Sequence, residues 1–174
     1  MGLFAEMQPI YAAHGIPIFP VMTAGGAKRP AIKGYLKVGP TFSEQLALRF
    51  PNVDALGFAL GKRSKIAVLD VDSRDERVLA DALSKHGDTP IIVRSGSGNY
   101  QAWYTHNGET RRIRPFAEKP IDILGGGFVV APPSMGAIGR YEFIAGGLDD
   151  LDRLPKMRGL TADSLLRPDA GAAL

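Results

Sequence analysis

The run Lys65-Ile66-Ala67-Val68-Leu69-Asp70-Val71-Asp72 constrains this chain more than any other segment. Its nearly continuous apolar character reads as a strand buried on both faces, and so central in its sheet, yet it ends in two carboxylates. Side chains alternate along a strand, which puts Asp70 and Asp72 on one face and Leu69 and Val71 on the other. Two like charges side by side are unfavourable unless a cation lies between them. An all-oxygen pair suits a hard divalent ion, Mg²⁺ or Mn²⁺. The plainer alternative is a strand end whose acids cap the helix that follows.

Asp122 adds a third acid. It interrupts the apolar strand Ile121, Ile123, Leu124 and is followed by Gly125-Gly126-Gly127. A carboxylate buried there without a partner costs several kcal/mol, so it pairs either with a basic neighbour such as Lys119 or Arg140 or with a metal. Three acids at two strand ends are the usual supply for two-metal phosphoryl transfer. Between them, the turn Arg94-Ser95-Gly96-Ser97-Gly98-Asn99 can aim successive backbone N–H groups at an anion, although the same residues serve ordinary hairpins. Arg111, Arg112, Arg114 and Lys119 form either a solvated face or contacts to triphosphate or template phosphates. Tyr100, Trp103 and Tyr104 either stack on a base or fill the core.

The surrounding chain is that of one ordinary domain: 174 residues, 45% hydrophobic and 22% charged, which excludes disorder as the main state. Gly 21 and Pro 13 total 34, one residue in five, so tight turns are frequent. The absence of cysteine removes disulfide scaffolds, thiolate zinc sites and thiol nucleophiles and favours a reducing compartment. With no basic leader and no apolar run of about 18 residues, a cytoplasmic location is expected. A net charge of +3 admits a polyanion partner without requiring one.

Helices are expected over 3–14, ended by Gly15; from the box Thr41-Phe42-Ser43-Glu44 to Phe50; and from the box Ser73-Arg74-Asp75-Glu76 to Gly87. The third turns Val78, Leu79, Ala82 and Leu83 inward. Strands are expected over 16–21, at a sheet edge because of Pro17 and Pro20, and over 57–61, 91–94, 100–105 and 121–124. Segments 128–131 and 140–144 read as a closing pair, 148–154 as a short helix and 167–174 as a linker. The long loop 24–40 carries Lys28, Arg29, Lys33 and Lys37, and loops of that length are commonly functional.

The order LDVD, then VRSGSG, then IDILGGGFVVAPPS, then RYEF resembles the bifunctional DNA primase/polymerase (prim-pol) domain of the archaeo-eukaryotic primase superfamily, common at the N-terminus of phage and plasmid replication proteins. GIPIFPV, the loop with Lys28 and Pro30, and GFALG resemble the family's opening, and the likeness spans roughly residues 8–155. It implies an α+β, archaeo-eukaryotic primase-like fold: an N-terminal αβ module packed on an RRM-like module, with the active site between them. The catalytic domain would span 1–158, with 159–174 a linker or the start of a following region.

By the same resemblance Asp70, Asp72 and Asp122 fall on the family's catalytic, metal-binding acids, for Mg²⁺ or Mn²⁺. Arg94, Ser95, Ser97, Gly98, Gln101 and Lys28 would bind the (d)NTP, and Arg111, Arg112 and Arg114 the DNA. The implied partners are single-stranded template or primer and a helicase region in the same or an associated polypeptide, with no membrane, for a domain monomeric in isolation. Gln101 stands where the family has His, and glutamine donates a hydrogen bond but carries neither proton nor positive charge. His106, five residues on, points to the opposite face of a continuous strand. Two readings follow: a template-directed nucleotidyltransferase, or a catalytically weakened relative that binds DNA or nucleotide for a replication protein. A different DxD enzyme, such as a nucleotide-sugar transferase, fits Asp122 and the GGG turn poorly.

Overall fold

Residues 1–160 are described by the computed structural model. Within them the chain runs α1 (Leu3–Ala13), β1 (Ile18–Met22), β2 (Arg29–Pro30), α2 (Pro40–Arg49), β3 (Leu56–Ala59), β4 (Ile66–Val71), α3 (Glu76–His86), β5 (Ile92–Arg94), β6 (Tyr100–Thr105), β7 (Arg111–Arg112), β8 (Ile121–Leu124), β9 (Phe128–Ala131) and β10 (Glu142–Ala145). A 3-10 segment, Leu148–Arg153, follows. The expected linker at 167–174 lies outside the described residues.

The strands form two antiparallel sheets, β2-β1-β3-β9 and β10-β5-β6-β4-β8-β7. This is an α+β fold, with α1 and α2 on the first sheet and α3 on the second. β4 lies inside the second sheet, paired with β6 from Ile66↔Thr105 to Val71↔Tyr100 and with β8 from Val68↔Leu124 to Val71↔Ile121. Its two apolar faces belong to two cores. Ile66 and Val68 join Trp103, Val93, Phe58 and Val130 between the sheets. Ala67, Leu69 and Val71 join Tyr104, Ile123 and Ala82, against the expected apolar face of α3. The first series ends in Asp70, which therefore points toward the opposing sheet.

Several local expectations change for identifiable reasons. α2 begins at Pro40, ahead of the Thr41 box, because a proline at the first helical position has its φ preset and needs no N–H partner. The Ser43 hydroxyl instead donates to the Ile18 carbonyl at 2.6 Å. α3 is capped by Asp75 in place of Ser73, its carboxylate accepting the Arg77 N–H at 2.9 Å. β1 is not an edge strand, although β2 borders it over only two residues. The expected closing pair does not form: β9 pairs with β3 and β10 with β5, in different sheets. Trp103 and Tyr104 are fully buried and Tyr100 nearly so, which removes them as base-stacking platforms.

Candidate active site

Register brings the acids together. Asp70 and Asp122 are direct partners across the β4–β8 ladder, so their Cβ atoms lie about 5 Å apart on one face. Asp72, one residue beyond β4, continues the same face. Burial, and next the Asp122 carboxylate beside it, push the Asp70 pKa up to about 6, with Lys28 and Arg114 pulling the other way. Side-by-side carboxylates, one held so unfavourably, are a donor pair that a divalent cation would relieve.

A cation of the chain's own already occupies part of that role. Arg114 donates through Nη2 to Asp72 at 2.7 Å, and its Nε lies 3.8 Å from Asp122. Its backbone N–H donates to the same Asp122 oxygen at 2.8 Å, a contact set up by its positive φ of 50°. The Nη1 of Arg114 is buried without a hydrogen-bond partner among the described residues. Asp72 is fully engaged, its second oxygen accepting from Asn99 Nδ2 at 2.7 Å. No three acidic or histidine side chains among the described residues close on a common point. All-carboxylate donors on one face fit Mg²⁺ or Mn²⁺, provided that Arg114 swings aside. Neither Lys119 nor Arg140 is the partner of Asp122: Lys119 instead lies 3.3 Å from Asp81.

The Ser-Gly turn adjoins this end of β4 and is tied to it by the Asn99–Asp72 bond. Much of its backbone is spent internally, with the Ser95 N–H on the Asn99 carbonyl, the Gly98 N–H on the Ser95 carbonyl and the Asn99 N–H on Ser95 Oγ. Around it lies a shallow depression of about 430 Å³ lined by Arg94, Ser95, Ser97, Gly98, Arg74 and Arg140 among others. Arg94 is paired with Glu142 at 2.9 Å. Arg74 packs its side chain over Gly98, whose φ of +94° also calls for glycine. On the turn's other side, Lys28 faces Gly96 and Ser97 across a small cavity of about 80 Å³. Thus the long loop delivers Lys28 to the turn.

Gln101 lies next to Asp70 in register, but its amide faces inward. Nε2 donates to the Val130 carbonyl at 3.0 Å, and Oε1 accepts from Trp103 Nε1 at 3.1 Å. The side chain therefore bridges the two sheets, and a triphosphate contact from it would compete with these bonds. His106 lies beyond the end of β6 with Nε2 at 2.8 Å from the Glu109 carbonyl, away from the acids. Arg111 and Arg112 form β7, paired with Leu124 and Ile123, while Arg114 leaves that group for the acids.

Sequence reasoning missed Arg114 as an acid partner and Arg74 as a neighbour of the turn, and it named Arg140 beside Asp122 where the structure puts it beside the turn. Asn99 was read as part of the turn but not as the partner of Asp72. None of the curated proteins matches the chain. The family model for the bifunctional DNA primase/polymerase, N-terminal, matches residues 9–157, a span holding both sheets, the three acids and the Ser-Gly turn, and the chain thus belongs to the bifunctional DNA primase/polymerase N-terminal family.

Proposed function

We propose that this face catalyses template-directed nucleotidyl transfer. A 3′-hydroxyl oxygen forms a bond to the α-phosphorus of a (d)NTP, the bond to pyrophosphate breaks, and the hydroxyl proton leaves to water. The observation that supports this most strongly is the registered pair Asp70–Asp122 with Asp72 on the same face. Asp70, Asp72 and Asp122 would hold Mg²⁺ or Mn²⁺, which when bound supplies positive charge to the attacking and leaving oxygens. Lys28, Arg74, Arg140 and the Ser97 hydroxyl surround the turn as donors for the triphosphate. Arg94 and Ser95 support the turn, and Gly98 leaves room for Arg74. Arg114, bound to the acids here, would turn from carboxylate to phosphate as charge builds there. Arg111 and Arg112 on β7 would take template phosphates. The family's setting supports a place in a phage or plasmid replication protein, with a helicase region as a working neighbour.

Asp70→Asn and Asp122→Asn should each lower primer extension with Mn²⁺ or Mg²⁺ at least about a hundredfold, about 2.7 kcal/mol of barrier. Extension at the wild-type rate by either variant would contradict the assignment. A second reading, the binding module with weakened catalysis, draws on the inward-bonded amide of Gln101. It would be favoured by an inert wild type together with a Gln101→His variant that extends a primer.

A further inference from the structure

A cavity of about 820 Å³ lies away from the acids. It opens at the other end of β4, where the turn Gly61-Lys62-Arg63 meets Gly125-Gly126-Gly127. Asp70 is nine residues beyond Gly61 in the chain. At about 3.3 Å per strand residue, the run from Ile66 to Asp70 alone separates the two places by some 13 Å. We infer that this cleft is a second nucleic-acid site, holding a stretch of single-stranded DNA that runs on from the acidic face.

Three observations carry the inference. The described lining is basic, with Lys62 and Arg63 both exposed in it. Among the described residues that line the cleft, the one acid, Glu109, is buried and accepts the Asn107 N–H on its carboxylate at 2.6 Å. Its wall is mainly apolar, with Pro17, Leu36 and Leu60, so a base can lie against it while phosphates meet the cations. The third observation concerns glycine. Gly61 and Gly125 are required by packing, since a Cβ would stand 2.8 Å from the Gly125 carbonyl oxygen and 2.1 Å from that of Glu109 respectively. Among the described residues Gly126 has no such reason: a Cβ there meets none of them within 4 Å, and its φ is not in the left-handed region. A bare backbone facing an open basic cleft is what close passage of a ligand strand requires.

β8 joins the two places. Asp122 is its second residue and Gly125 follows its last, a distance that two or so nucleotides cover. The inference rests on the nucleotidyl-transfer reading only for the continuity of the strand. The binding itself needs neither metal nor triphosphate.

The test is fluorescence anisotropy with a short labelled oligothymidylate in EDTA, without nucleotide. Lys62→Glu/Arg63→Glu should weaken binding at least about tenfold and flatten the slope of log affinity against log salt by about 1.4, two phosphate contacts' worth. Gly126→Leu, which fills the cleft without straining the backbone, should also weaken binding. Arg77→Glu, the same kind of charge change on the exposed face of α3, should not. Wild-type affinity in the first two variants, or a loss no larger than that of Arg77→Glu, overturns the inference. Full displacement of the oligonucleotide by dTMP at equal phosphate concentration would also overturn it, making the cleft a mononucleotide pocket. Because no divalent ion is present, these outcomes are independent of primer extension.

Discussion

Arg114 is the residue whose role the structure changes most. It lies in a basic run that reads as a nucleic-acid contact, yet its guanidinium and its own N–H both serve the acids. No sequence period could place it there, because the contact depends on one left-handed backbone step at φ 50°. The acids themselves were legible: strand alternation put Asp70 and Asp72 on one face, and the interrupted apolar strand marked Asp122. The Arg114–Asp72 pair is about half exposed, so on its own it stabilises the fold by at most about 1 kcal/mol. Arg114→Gln should therefore lower the metal-free melting temperature only slightly. It should also enlarge the stabilisation by Mn²⁺, because the guanidinium no longer competes for the carboxylates. Thermal melts with and without Mn²⁺ check both, and equal Mn²⁺ shifts in variant and wild type would rule out the competition.

Among the elements, β4 and the apolar face of α3 follow directly from their residue patterns. The partners of β9 and β10 do not. Both are short apolar runs that would pair equally well with each other, and the choice is made by non-local packing such as Ser134, whose hydroxyl accepts the Leu56 N–H and donates to the Leu56 carbonyl. The C-terminal end of α3 carries a testable consequence. His86 is buried, its Nδ1 lies 2.8 Å from the Arg158 carbonyl oxygen, and its ring packs on Phe116 at 5.1 Å. Burial is the main cause holding its pKa below the ordinary value. The Arg158 carbonyl and Asp81 act in the opposite sense, and Lys85 acts with burial. The unfolded chain thus takes up a proton near pH 6.5 that the folded chain resists, so this contribution to stability is full above about pH 6.5 and is lost as the pH falls below it. His86→Asn, which keeps a donor for Arg158 without titrating, should lower stability at pH 7.5 but flatten its fall toward pH 5. Urea melts at several pH values would show this, and an unchanged pH slope would contradict it.

At the scale of the whole molecule, two sheets share a core, and the face between them ends in acids at one end of β4 and in a basic, glycine-walled cleft at the other. The order of motifs along the chain made the family legible. The division of its glycines did not emerge until the backbone was in view: Gly98 makes room for Arg74, Gly125 for Glu109, and Gly126 for nothing among the described residues. Gln101 likewise proved to be a tie between the sheets, which no spacing argument could show. Under the proposed function Asp70, Asp72 and Asp122 form a divalent-ion site despite the arginine now among them. Titration of Mn²⁺ followed by the loss of its free-ion EPR signal tests it most directly. The expected result is saturable binding in the wild-type chain that Asp70→Asn and Asp122→Asn each abolish, whereas binding unaffected by either substitution, or none at millimolar Mn²⁺ in the presence of a dNTP, would contradict it.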